Sequence, residues 1–194
     1  KHPNWSMGKK ITIDSSTLMN KVLEFIEAQK LFDLPYKKLD ILIHPESLVH
    51  AIIKYKNGLT KFIYHETSMI VPIANAIFDK NLTIDEFLKN KKNIKNLTFS
   101  SPKKSNFPII NLLDKVNYYP SSSIIVNASN EVLVEHFLRE KIPFLDIPLI
   151  INKILRDRNY KKYAIRKPMN INQINKINIW AKLKTLEKIK AKYG

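Results

Sequence analysis

Between positions 14 and 24 the chain gathers Asp14, Ser15, Asn20, Lys21 and Glu24. A hydroxyl, a carboxamide, an ammonium and a carboxylate at this spacing suit a phosphate and a divalent cation. A helix N-terminus presents free N–H groups and a positive dipole end, which favours phosphate. Ser15 at such an end can donate a hydroxyl, and Lys21 can neutralise phosphate charge. Glu24 lies four and three residues after Asn20 and Lys21, so the three project over one turn, and its carboxylate can hold a cation through oxygen. The same residues also describe a serine-capped amphipathic surface helix whose Lys–Glu pair is worth about 0.2–0.5 kcal/mol. Spacing alone leaves both readings open. Upstream, Trp5, Met7 and Gly8 lie in a loop that can close over a ligand and exclude water, or can anchor locally through the indole. His44 and His50 lie an even number of residues apart and would share a face of an unbroken strand, but Pro45 interrupts it. No zinc-protease helix spacing and no glycine-rich phosphate fingerprint occurs.

The elements that must position these residues follow from periodicity. Ile11-Thr12-Ile13 is β-branched and predicts a short strand ending at Asp14. Ser15, Ser16 and Thr17 are helix N-cap candidates. Leu18 to Phe32 has helical spacing, with Leu18, Met19, Val22, Leu23, Ile26 and Leu31 on one face. Lys38 to His44 reads as a strand, and Ser47 to Lys56 and Leu59 to His65 as two more joined by Asn57-Gly58, a strong hairpin signal. Ile70 to Lys80 turns helical. The polar stretch 80–105 reads as a linker, with a short helix at Ile84–Lys89 and a strand at Leu97-Thr98-Phe99. Helices follow at about 108–116, 122–140, 146–157 and 171–192. The fold class expected is α+β: a mixed sheet with flanking helices over 1–79, the linker 80–105, and an all-helical domain over 106–194.

Composition bounds the function classes. At 194 residues, 44% hydrophobic and 26% charged, the chain is an ordinary globular mix rather than a disordered one. The absence of cysteine excludes a disulfide scaffold and a thiolate zinc site. The net charge of +16 invites a nucleic-acid reading. Yet lysine outnumbers arginine 29 to 4, and +11 of the charge falls in residues 151–194. Arginine, the residue suited to bidentate phosphate and base contacts, is nearly missing. Trp180 and Tyr193 among Lys176–Lys192 interleave aromatic with basic residues, as single-strand binders do. Ile174, Ile177, Trp180, Leu183 and Leu186 instead predict a helix whose lysines fill its solvated side. No stretch nears the roughly 18 apolar residues of a membrane span. The opening Lys1-His2-Pro3-Asn4-Trp5 has neither an initiator Met nor a signal-peptide pattern and reads as the interior of a longer protein.

Three runs together resemble one family. The first is His2-Pro3-Asn4-Trp5-Ser6-Met7-Gly8-Lys9-Lys10-Ile11-Thr12-Ile13-Asp14-Ser15, continuing to Asn20-Lys21 and Glu24. The others are Ile43-His44-Pro45-Glu46-Ser47-Leu48-Val49-His50 and Asn127-Ala128-Ser129-Asn130-Glu131. In order and spacing they resemble the second half of 1-deoxy-D-xylulose 5-phosphate reductoisomerases. That resemblance implies isomerisation and NADPH-dependent reduction of 1-deoxy-D-xylulose 5-phosphate to 2-C-methyl-D-erythritol 4-phosphate, in the non-mevalonate route to isoprenoids. It implies help from Mg²⁺, Mn²⁺ or Co²⁺, a cation that polarises carbonyl and hydroxyl oxygens. By position it implies phosphate binding by Ser15, Asn20 and Lys21, and an active-site loop of Asn4, Trp5, Ser6, Met7 and Gly8, with Trp5 covering the substrate. It further implies catalytic and substrate-contacting roles for His2 and Glu24, Glu24 as metal ligand, His50 near the site, and Met69 and Gly8 beside the cofactor. A homodimer in the bacterial cytoplasm, or in a plastid-type organelle, is implied as well, with neither nucleic acid nor membrane as partner.

The chain departs from the family pattern in three places. Val22 stands for a usual glycine, Glu46 for a glutamine, and Thr67-Ser68-Met69-Ile70 for a Pro-Asp-Met-Arg run. The dinucleotide-binding domain, an Asp-x-Glu pair of metal carboxylates and another phosphate-binding serine are expected upstream of Lys1. With one carboxylate for a cation that takes about six oxygen ligands, the chain alone is expected to be inactive. A non-catalytic remnant retained for structure or interaction is the competing expectation.

Overall fold

The computed structural model describes residues 7–78 and 96–194. Its elements are α1 (Lys9–Thr17), α2 (Met19–Phe32), a 3-10 turn (Tyr36–Lys38), β1 (Val49–Lys54), β2 (Thr60–Tyr64) and α3 (Ile70–Ile77). A second 3-10 turn (Pro108–Asn111), α4 (Leu112–Val116), α5 (Ser122–Leu138), α6 (Asp146–Ile154), α7 (Tyr160–Ala164) and α8 (Ile171–Tyr193) follow. They form two compact units, one within Leu42–Pro102 and one that joins Met7–Ile41 to Lys103–Gly194. These units cut across the expected segments 1–79, 80–105 and 106–194, because α1 and α2 pack with the later helices. The predicted helix at Ile84–Lys89 lies outside the described residues.

The α+β class holds. Among the described residues the sheet is an antiparallel hairpin, smaller than the expected mixed sheet. Its loop follows from Asn57-Gly58. Gly58 adopts φ 89°, a left-handed conformation that glycine takes without strain. The Gly58 N–H donates to Tyr55 O at 3.1 Å, and Asn57 Oδ1 accepts from the Leu59 N–H at 3.1 Å. Register runs Val49↔Tyr64 and then Ala51↔Ile63, so His50 is the extra residue of a β-bulge.

The strands predicted at Lys38–His44 and Leu97–Phe99 shrink to one antiparallel bridge, Ile43↔Ser100, with N–H to O distances of 2.8 and 3.0 Å. The next hydrogen-bonded pairs of that ladder would fall two residues away on each side, where Pro45 and Pro102 supply no N–H. Proline thus stops the ladder at both ends.

Ile11–Ile13 is not a strand but the middle of α1. Its hydroxyl side chains bond carbonyls four residues back, the local pattern of Ser and Thr held inside a helix. Thr12 Oγ1 donates to Gly8 O at 3.0 Å, Ser16 Oγ to Thr12 O at 2.8 Å, and Thr17 Oγ1 to Ile13 O at 3.0 Å. Leu18 then breaks the helix with φ 62°. Of the three cap candidates, Thr17 is the one that meets a first-turn donor of α2, accepting from the Met19 N–H at 3.2 Å. The apolar face of α2 forms through Met19, Val22 and Ile26, joined by Phe25, whereas Leu31 is exposed.

The helical unit carries the core. Helix α5 lies at its centre, burying Ile125, Val126, Val132, Leu133 and Val134 against α8, α6, α4, α1 and α2. On α8 the buried stripe is Ile177, Ala181, Thr185 and Ile189. It runs in four-residue steps, where the expected stripe took three; Leu183 and Leu186 are exposed. Small residues at 181 and 185 let α8 approach α5 closely. Trp180 stacks on Tyr163 with ring centroids 4.4 Å apart.

Candidate active site

The corner between α1 and α2 brings together most of the polar constellation. On the first turns of α2, Asn20 Nδ2 donates to Glu24 Oε1 at 2.6 Å and Lys21 Nζ to Glu24 Oε2 at 2.8 Å. Both carboxylate oxygens are therefore held, one by an amide and one by an ammonium. Spacing of i, i+4 and i, i+3 places the three on one face. Val22 points the other way, into the core with no exposed surface. Its side chain, which replaces the family's glycine, therefore fills apolar space rather than crowding the polar face.

Ser15 lies in the last turn of α1, partly buried, not at the helix N-terminus expected for it. The Leu18 N–H donates to Ser15 O at 3.1 Å and closes that turn. The positive end at the corner belongs to α2, which starts at Met19. Asp14, next to Ser15, is buried: its Oδ1 accepts from Asn130 Nδ2 at 2.7 Å and its Oδ2 from Lys10 Nζ at 2.6 Å. The sequence showed Asp14 in the constellation and Asn130 in the Asn127–Glu131 run, but no local signal pairs two residues 116 positions apart.

His2, Asn4, Trp5 and Ser6 lie outside the described residues. Met7 is partly buried and Gly8 exposed at the start of α1, with φ −60°. His50 and Met69 belong to the other compact unit. The bulge sets the His50 ring on that of His65, with centroids 3.7 Å apart and planes at 13°. Met69 is exposed at the start of α3.

Glu46, in place of the family's glutamine, uses the additional charge. Its carboxylate accepts from the Thr98 hydroxyl at 2.7 Å and lies 3.0 Å from His44 Nδ1. The Thr98 hydrogen bond, with backbone donors and the His44 charge, holds the carboxyl below its ordinary range. His44 Nδ1 also lies 2.8 Å from the Thr98 carbonyl, and two acceptors there require Nδ1 to carry the proton.

No group of three His, Cys, Asp or Glu side chains able to hold a metal exists among the described residues. At the corner, Glu24 offers a divalent cation one exposed carboxylate. These residues fit a single ligand to such an ion, not a cage. Gly8 and Met69 belong to different units.

Fold and corner together define an α+β protein whose helical unit presents hydroxyl, amide, ammonium and carboxylate groups beside a helix N-terminus, a site suited to an anion with a cation. Residues 65–184 match the family described as DXP reductoisomerase C-terminal domain, and residues 1–32 match the 1-deoxy-D-xylulose 5-phosphate reductoisomerase C-terminal domain. The chain belongs to the 1-deoxy-D-xylulose 5-phosphate reductoisomerase family. It is 46% identical over 190 residues to the enzyme of that name from Pelagibacter ubique, covering 95% of this chain and 48% of the relative. The Sulfurihydrogenibium enzyme is 40% identical over 184 residues, covering 88% and 48%. A crystal structure of DOX-P reductoisomerase in complex with NADPH, fosmidomycin and magnesium superposes with TM-score 0.90 at 32% identity, covering 98% of this chain and 48% of that one. The Zymomonas mobilis enzyme in complex with NADPH gives TM-score 0.77 at 29% identity, covering 93% and 47%. The chain thus spans about half the length of the relatives it matches.

Proposed function

We propose that this chain supplies the phosphate-gripping half of a 1-deoxy-D-xylulose 5-phosphate reductoisomerase, which forms 2-C-methyl-D-erythritol 4-phosphate with NADPH and Mg²⁺, Mn²⁺ or Co²⁺. The observation that carries this reading is the α1–α2 corner: Asn20, Lys21 and Glu24 in mutual contact beside Ser15, in a chain of this family. Lys21 neutralises the substrate phosphate, while Ser15 and Asn20 donate to its oxygens. Binding a phosphate remote from the reacting carbons supplies energy for orientation and loop closure. Glu24 would hold the cation through a carboxylate oxygen, and the cation would polarise substrate oxygens. His2 reaches the substrate from the loop of Asn4, Trp5, Ser6, Met7 and Gly8, with Trp5 as cover. His50 lies near the reacting end, and Met69 and Gly8 face the nicotinamide. The working protein is a homodimer, in the bacterial cytoplasm or in a plastid-type organelle.

A chain that spans about half the length of its relatives, and whose described residues hold no group of three side chains able to bind a metal, is expected to be inactive alone and to bind neither NADPH nor metal tightly. NADPH oxidation driven by 1-deoxy-D-xylulose 5-phosphate and Mg²⁺ tests this. The full-length protein is expected to turn over and the 194-residue chain to show none. Turnover by the short chain, or none by the full-length protein, would refute the reading.

The basic C-terminal helix favours no nucleic-acid role. Lys182 pairs with Glu131 at 2.9 Å, Lys184 and Lys188 with Asp157 at 3.6 and 3.4 Å, and Lys192 with Asp146 at 2.5 Å. These lysines dock α8 onto its own unit. Among the described residues no helix is long and apolar enough to cross a membrane.

A further inference from the structure

We propose that Asp14 and Asn130 form a buried positioning pair that fixes α1 against α5 and thereby places Ser15 for a phosphate-bearing ligand. The proposal rests on the phosphate-binding reading of Ser15, Asn20 and Lys21. Helix α1 buries two residues, Asp14 and Thr17, and both are polar. Ile11 is 47% exposed and Ile13 only partly buried, so α1 lacks the fully buried aliphatic row that fixes the rotation of α2 or α5. The Thr17 hydroxyl bonds Ile13 O, Asp14 O and the Met19 N–H, which fixes the break at Leu18 and ties α1 to the adjoining start of α2 but not to α5.

The side-chain tie from α1 to α5 is therefore that of Asp14. Asp14 and Asn130 are 2% and 0% exposed. Asn130 Nδ2 donates to Asp14 Oδ1 at 2.7 Å, and Lys10 meets Oδ2 at 2.6 Å. The amide orientation is forced, since a carboxylate only accepts. Asn130 Oδ1 has no partner among the described protein atoms, so this amide faces α1 with its donor alone. A buried carboxylate is a poor source of stability, and apolar residues of similar size often replace such groups without loss. It does impose one geometry. Asp14 immediately precedes Ser15, so the rotation of α1 that satisfies Asn130 is also the rotation that aims Ser15.

Kinetics of the full-length protein test the pair. Asn130→Ala is expected to raise KM for 1-deoxy-D-xylulose 5-phosphate about ten-fold, with kcat within about three-fold and KM for NADPH unchanged. The exchange Asp14→Asn with Asn130→Asp reverses donor and acceptor across one contact, and is expected to bring KM back to within about three-fold of the starting value. A lower melting temperature with unchanged KM, or an exchange that recovers nothing, overturns the proposal. If Asn130→Ala does not fold, Asn130→Ser carries the same measurement, since its hydroxyl is too short to reach Asp14. Absence of turnover in the unsubstituted protein would instead sink the reductoisomerase reading, and the positioning role with it. Turnover with unmoved KM sinks the positioning role alone.

Discussion

At the scale of single residues, Glu24 is the meeting point of the corner, with one oxygen on Asn20 and the other on Lys21. Removing the ammonium leaves Asn20 in place and frees one carboxylate oxygen. A charge-assisted hydrogen bond is worth about 1.5–3 kcal/mol, so Lys21→Met in the full-length protein is expected to raise KM for the phosphorylated substrate roughly 10- to 100-fold. Steady-state kinetics check it, and the NADPH KM should not move. Val22 makes a different point. Restoring the family's glycine at this fully buried position removes a packed side chain and loosens the helix, for an expected loss of about 3 kcal/mol. Chemical denaturation of Val22→Gly measures that loss directly; a variant as stable as the parent would mean the core has repacked around glycine. The polar trio was legible because i, i+3 and i+4 geometry is local. The Asp14–Asn130 contact was not, because no periodicity links α1 to α5.

At the scale of elements, local signals worked where local physics decides. Asn57-Gly58 located the hairpin, and the apolar rhythm of residues 18–32 located α2. Ile11-Thr12-Ile13 misled because β-branched residues are only weakly averse to helix, and the packing of α1 against α2 and α5 outweighed that preference. Helix α8 shows the acidic partners of its lysines. Burial pushes Asp146 up, but hydrogen bonds from Lys192 and Tyr193 outweigh it and leave the carboxyl below its ordinary value. Asp157 shows the same balance, with burial opposed by the Asn159 N–H, Lys184 and Lys188. Because both folded-state values are depressed, their stabilisation is present above the ordinary carboxyl range and is lost as pH falls through the folded values. Protection of the α8 amides, relative to their intrinsic exchange rate at each pH, is therefore expected to fall below about pH 4. Asp146→Asn should flatten that dependence, and an unchanged acid profile would show that α8 is held by its apolar stripe alone.

At the scale of the whole molecule, the two compact units differ in what holds them. Every fully buried apolar side chain among the described residues belongs to the unit of Met7–Ile41 and Lys103–Gly194. The hairpin and α3 leave Ile53, Phe62, Ile70, Ile73 and Ile77 exposed. Hydrogen exchange should accordingly be fast in β1 and β2 and slowest in α5; equal protection in both units would contradict this distribution of the core. Sequence reading drew one boundary along the chain because patterns change along it. Packing drew another, since α1 and α2 find their apolar partners among helices some 70 or more residues later. This arrangement carries the proposed function, for it sets the Ser15–Glu24 corner on the unit that holds the buried core. The most direct test of that claim is the steady-state rate of full-length protein bearing Lys21→Met and Glu24→Gln, singly, with 1-deoxy-D-xylulose 5-phosphate, NADPH and Mg²⁺. The corner predicts a raised substrate KM for the first, and for the second a kcat lowered about 100-fold or more with weaker Mg²⁺ dependence. Wild-type kinetics in both variants would contradict it.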